Sequence, residues 1–223
     1  MKILAVDAAT EACSAALLQG AAVAERYEVI GRGHAGRLLP MADELMRDAG
    51  LSTGELDAVA FGRGPGGFTG LRIAAGIAQG LAAGSGRPVL PVSNLAAVAA
   101  GAARVSGSAR ILVCMDARMG QVYWAAYDCA GRVPVAVTDE RLADPASVTV
   151  PQGGRWIGAG HGFAAYPEIA AKLATGLAGI DGEFLPRASD IARIAAAELA
   201  TGKGIDAARA LPVYLRNDVV HRR

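Results

Sequence analysis

The chain has 223 residues, 52% hydrophobic and 19% charged, which excludes a disordered segment and leaves enough apolar material for a substantial core. A formal net charge of +1 argues against a large nucleic-acid surface built by this chain alone, though not against contact with RNA through a partner. No apolar run reaches the roughly 18 uncharged residues of a spanning helix, and the carboxylate of Asp7 argues against a secretory signal.

Residues 2–7, 13–18 and 22–29 are predicted as three strands joined by short turns, an antiparallel meander. Cys13 in the second strand, with Cys114 and Cys129, shows no metal-ligand spacing. Any disulfide scheme leaves one of the three unpaired, which points to reduced thiols and a cytoplasmic location. Asp7 ends the first strand and Thr10 follows it. A carboxylate there can hold a metal-bound water, and the Thr10 hydroxyl can face phosphate. The simpler alternative is an Asx or Ser/Thr turn.

Gly31 to His34 lead into a helix whose Leu38, Met41, Ala42, Leu45, Met46 and Ala49 recur at offsets of three and four, one apolar stripe. Pro40 is expected in its first turn or at a kink, and Gly50 ends it. Residues 57–61 form a fourth strand. Then Phe61-Gly62-Arg63-Gly64-Pro65-Gly66-Gly67-Phe68-Thr69-Gly70-Leu71-Arg72 joins that strand to a helix over 71–83. Gly64, Gly66 and Gly67 allow positive φ and close backbone approach, and Thr69 is the expected N-cap. Such a loop can hold phosphate at the helix start, or it is a tight turn without a ligand. Ile73, Gly76, Ile77, Gly80 and Ala83 share one face of the helix. Interior glycines cost about 1 kcal/mol each against alanine, so the pair suggests that another helix packs closely there. That helix belongs either to the Leu38/Leu45 stripe of this chain or to a second protein.

Further strands are predicted at 89–92, 111–115, 121–127 and 155–158, the last running into the glycine-rich turn 158–162. Helices are predicted at 94–103, 164–175 and 188–201. The tail Pro212-Val213-Tyr214-Leu215-Arg216 is expected to dock before the chain turns basic through His221, Arg222 and Arg223 and frays. Two strand-rich segments, each followed by helices, indicate a duplicated α/β architecture. The boundary near 101–108 gives an N-terminal unit 1–104 and a C-terminal unit 105–223.

Several motifs line up along the chain: Ile3-Leu4-Ala5-Val6-Asp7-Ala8-Ala9-Thr10, His34-Ala35-Gly36-Arg37-Leu38-Leu39-Pro40, Gly64-Pro65-Gly66-Gly67-Phe68-Thr69-Gly70-Leu71-Arg72, Asp116-Ala117-Arg118-Met119-Gly120-Gln121-Val122-Tyr123 and Pro212-Val213-Tyr214-Leu215-Arg216. In this order and spacing, over nearly the whole chain, they resemble the TsaB (YeaZ) family of tRNA threonylcarbamoyladenosine synthesis. The resemblance implies the actin/sugar-kinase/Hsp70-like (ASKHA) fold, with two ribonuclease-H-like halves and mixed sheets. It implies a non-catalytic scaffold that binds a TsaD-like catalytic subunit. The assembled complex then transfers threonylcarbamoyl from its adenylate to N6 of adenosine 37 in tRNAs reading ANN codons.

Related TsaD carries two metal-binding histidines four apart. The matched positions here are Asn94 and Val98, a weak donor and none, so the resemblance implies no metal site. It places the partner surface on the helices flanking the glycine loop, with Leu38, Met41, Ala42, Leu45 and Met46 from one and Ile73, Gly76, Ile77, Gly80 and Ala83 from the other. The same surface is expected to pair two copies when the chain is alone. A TsaE-like ATPase is expected on the assembled pair, ATP or ADP at the complex interface near Asp7, Thr10, Gly64, Gly66, Gly67 and Thr69, and tRNA contact only through the complex. The alternative is a stand-alone ASKHA phosphotransferase using ATP and Mg²⁺ at Asp7, Thr10 and the 158–162 turn. The three scattered histidines, His34, His161 and His221, are expected to be structural.

Overall fold

The computed structural model describes residues 1–216. Its first three strands, β1 (Lys2–Asp7), β2 (Ala12–Gln19) and β3 (Ala22–Val29), pair antiparallel as the predicted meander. Helix α1 (His34–Asp48) follows, then β4 (Ala58–Gly64), α2 (Phe68–Ser85), β5 (Val89–Ser93) and α3 (Asn94–Ser106). β4 and β5 add parallel to the other side of β1, giving the order β3-β2-β1-β4-β5.

The second half repeats this plan. Its strands are β6 (Arg110–Asp116), β7 (Val122–Asp128), β8 (Val135–Ala136), β9 (Arg141–Ala143), β10 (Trp156–Ala159) and β11 (Leu177–Asp181). The order is β11-β10-β6-β7-β8, with β9 also on β7. β6 is central like β1, β7 antiparallel to it like β2, and β10 and β11 parallel like β4 and β5. This duplicated α/β architecture is the ASKHA fold class expected from the sequence.

Helices α3 and α6 (Ala188–Leu199) lie in the core shared by the two sheets. α3 begins on a Ser93 hydroxyl that accepts the Ala96 N–H and ends at Gly107 with φ +71°, a left-handed cap natural to glycine. On the outer face of the first sheet, α1 and α2 cover Leu4, Val6, Val59 and Phe61.

Three local expectations change. β4 runs into the glycine loop as far as Gly64, and α2 starts at Phe68, so the N-cap is Gly67 and Thr69 lies inside the helix without a capping bond. Pro40 stands beyond the first turn of α1, which continues through it while Gly36 loses an N–H partner. The helix expected over 164–175 divides into α4 (Gly162–Ala165) and α5 (Pro167–Leu173). Tyr166, which precedes a proline and is kept out of helical geometry, separates them at φ −131°, ψ 77°.

Candidate functional site

A cleft of about 480 Å³ opens between the halves, where β1 and β6 end. The first half contributes Thr10, Gly66, Gly67 and Thr69, and the second contributes Asp116, Arg118 and His161. Thr10 is engaged in a turn, its hydroxyl accepting the Ala12 N–H at 3.2 Å. The glycines bring their loop onto the β1–β2 turn. Gly67 N–H donates to the Ala9 carbonyl at 2.7 Å, and a Cβ on Gly66 would stand 2.6 Å from that same oxygen. Gly70 lies even closer to the Ala8 carbonyl, so close packing within the chain alone requires glycine there.

Asp7 does not line this cleft. It is fully buried, its Oδ1 accepting from Asn94 Nδ2 at 2.5 Å and its Oδ2 from Ala9 N–H at 3.3 Å. Burial pushes its carboxyl up to about 6, against the opposing pull of the Asn94 bond. The metal-bound-water role considered for Asp7 is therefore replaced by a buried link between strands. Asn94 completes that link by accepting Gly64 N–H on Oδ1 at 2.8 Å. Val98, the other position matched to a metal ligand, is fully buried too.

Asp116 ends β6 as Asp7 ends β1, but it faces the cleft. Its Oδ1 accepts Arg118 N–H at 2.8 Å and the Tyr166 hydroxyl at 3.1 Å, and its Oδ2 lies 3.2 Å from Arg118 Nη1. Folding also brings His34 and His161 into the lining of one cleft, a juxtaposition that sequence spacing concealed. His34 Nε2 and His161 Nδ1 are buried without a protein partner, and burial lowers the His161 pKa. His221, Arg222 and Arg223 lie outside the described residues. Among the described residues no three His, Cys, Asp or Glu side chains converge to hold a metal ion.

The tail docks beside the cleft. Val213 N–H donates to the Arg63 carbonyl at 2.7 Å, and the Tyr214 and Phe68 ring centroids are 5.2 Å apart. Arg72 Nε donates to the Tyr214 hydroxyl at 3.0 Å, and Arg216 Nη2 to the Ala117 carbonyl at 3.0 Å.

The second region is the outer layer of α1 and α2. Leu38, Met41, Ala42, Leu45 and Met46, expected at the partner surface, are all buried against the chain's own sheet. They lie beneath the outward face of the helix, because a stripe that covers a sheet is used up by it. The outward residues of α1 include Leu39, Pro40, Asp43 and Arg47. On α2 the buried face is Leu71, Ala74, Ala75, Ala78 and Ala82. Gly76, Gly80 and Ala83 are exposed, Ile73 and Ile77 half-buried beside them, and a Cβ on Gly76 or Gly80 would meet nothing within 4 Å. Close packing within the chain is thereby removed as the reason for those two glycines. A groove of about 610 Å³ runs between the helices, lined by Leu39, Pro40, Met46 and Leu81 among others.

Residues 26–218 match the family model described as TsaD, tRNA N6-adenosine threonylcarbamoyltransferase. The chain is 41% identical to the tRNA threonylcarbamoyladenosine biosynthesis protein TsaB of Escherichia coli K12, covering 100% of this chain and 98% of that protein. It is 36% identical to the Haemophilus influenzae protein of the same name, covering 100% and 97%. The solved structure of YeaZ from Pseudomonas aeruginosa superposes with a TM-score of 0.88 at 42% identity, covering 96% of this chain and 99% of that one. Identity at this level over the full length, on one duplicated fold, means that the chain belongs to the TsaB (YeaZ) family.

Proposed function

We propose that this chain is the non-catalytic scaffold of a tRNA threonylcarbamoyladenosine-synthesising complex, and that it binds a TsaD-like catalytic subunit through the outer face of α1 and α2. The observation that carries this reading is the Gly76/Gly80 stripe: two helix-weakening residues with no intrachain neighbour to explain them. A helix laid across them can approach backbone to backbone, and the adjoining groove offers apolar surface for its flanks. Such a contact supports a stable interface of ordinary size.

Lack of chemistry in this chain fits the buried, protein-satisfied Asp7 and the Asn94 and Val98 pair. The complex transfers the threonylcarbamoyl group to N6 of adenosine 37. This chain's part is to make the partner's site competent by docking, with a TsaE-like ATPase joining the pair. Alone, the chain pairs with a second copy through the same face. ATP or ADP binds at the cleft beside the contact, where Arg118, Thr69 and the uncapped first turn of α2 supply donors.

Co-purification of the Gly80→Arg variant with the catalytic subunit tests the reading. The expected result is loss of the complex with an unchanged circular dichroism spectrum. Undiminished capture overturns it.

A further inference from the structure

Where α6 crosses α3, positive charge exceeds what the local carboxylate neutralises. Asp190, in the first turn of α6, is 1% exposed. Its Oδ1 accepts from Arg104 Nε at 3.2 Å and Nη2 at 3.0 Å, and its Oδ2 accepts from the same Nη2 at 3.2 Å. Gly101, one turn earlier on α3, makes room for this pair, since a Cβ there would stand 2.5 Å from Asp190 Oδ2. Arg104 alone supplies Asp190 with hydrogen bonds to both oxygens.

Two further arginines arrive all the same. Arg193 lies 3.8 Å from Asp190 Oδ1, with Nη1 donating to the Ser189 carbonyl at 3.1 Å. Arg132, exposed on the turn after β7, has no ion pair among the described residues. All three guanidiniums line one pocket of about 330 Å³ with Asp190 its sole carboxylate, an excess of two positive charges. Like charges gathered in one recess repel unless an anion shares it. A guanidinium matches phosphate oxygens, and Asp190, by taking the Nε and Nη2 edge of Arg104, fixes that side chain in advance and leaves its Nη1 without a hydrogen-bond partner among the described residues.

The pocket is separate from the cleft. β6 begins at Arg110 beside it and ends at Asp116 in the cleft, and seven extended residues span about 20 Å. It also lies on the α3/α6 layer, across the first sheet from α1 and α2, so it stays open when a partner covers those helices.

We propose that this pocket is a phosphate-binding site, in which Arg104, Arg132 and Arg193 hold the phosphate of an RNA backbone or of a small phosphate ester.

Calorimetric titration of the full-length chain with inorganic phosphate and pyrophosphate, and filter binding with a tRNA transcript, test it. Saturable binding is expected, weakened roughly tenfold by Arg132→Ala and by Arg193→Ala. Neither change removes core packing, and circular dichroism checks the fold. If RNA is the source, tRNA affinity falls with the same variants and pyrophosphate competes. If a small ester is the source, pyrophosphate binding falls while tRNA affinity is unchanged. Binding of neither probe by the native chain, or equal binding by native chain and variants, overturns the proposal.

Discussion

Asp7 and Asn94 show how a residue with the appearance of a catalytic group becomes a structural one. The carboxylate is fully buried, and its principal partner lies 87 residues along the chain. Its pKa is raised from 3.8 to about 6, chiefly by desolvation, so between these values the folded chain binds more protons than the unfolded one. Stability should therefore fall as pH rises from about 4 to about 6, by roughly 3 kcal/mol. Urea unfolding across this range should show that decline in the native chain and lose it in Asp7→Asn. Parallel curves would mean that Asp7 does not titrate in this way. Asn94→Ala leaves a buried carboxylate and the Gly64 N–H without their partner, and should cost about 3 kcal/mol in the same assay. The place of Asp7 at a strand end was legible in the sequence. Its partner was not, because the contact forms only when β5 and the start of α3 are laid beside β4.

At the scale of elements, the two outer helices separate what a pattern can tell from what it cannot. The offsets of Leu38, Met41, Ala42, Leu45 and Met46 correctly announce one covered face of α1, but a stripe does not name what covers it, and here the chain's own sheet does. On α2 the small-residue stripe and the buried stripe lie on different sides, and only the structure shows which faces outward. Gly76→Ala and Gly80→Ala meet no neighbour within the chain, so each should stabilise the monomer by about 1 kcal/mol, raising Tm by roughly 2–4 °C in calorimetry at concentrations below self-association. Under the proposed function these same changes weaken capture of the catalytic subunit. A lower Tm would mean that the glycines serve the chain's own packing. Other elements escaped notice for local reasons. β8 and β9 are two and three residues long, too short for alternation to register, and β11 has four exposed residues after Leu177.

For the whole molecule, the repeat of strand order was legible as two strand-rich segments, but the exchange between the halves was not. The segment after residue 187 returns to the first half. α6 packs Ala188, Ile191, Ala192 and Ala195 into the cluster that holds Ile3, Ala5, Ala16, Ala58 and Ala60 of the first sheet. Ala188 N–H donates to Ser14 Oγ at 3.0 Å, and Glu25 accepts from Arg187 Nη1 at 2.8 Å and Ser189 N–H at 2.9 Å. Ile205 bridges Val89 at the edge of the sheet, and Arg63 pairs with Glu140 at 3.1 Å across the halves. A cut at residue 104 therefore divides the sheets but not the packing, because the inner face of the first sheet is covered by a helix from the far end of the chain. Residues 1–104 alone should expose that apolar face and show no cooperative unfolding transition, while mixing with residues 105–223 should restore one. If the fragment unfolds cooperatively by itself, α6 is dispensable to the first sheet. The expected outcome bears on the proposed scaffold role. A partner that grips α1 and α2 presses on a sheet whose opposite face is held by α6, and α6 carries Asp190 and Arg193 of the pocket beyond it. Docking and any ligand in that pocket would then act on two sides of the same sheet.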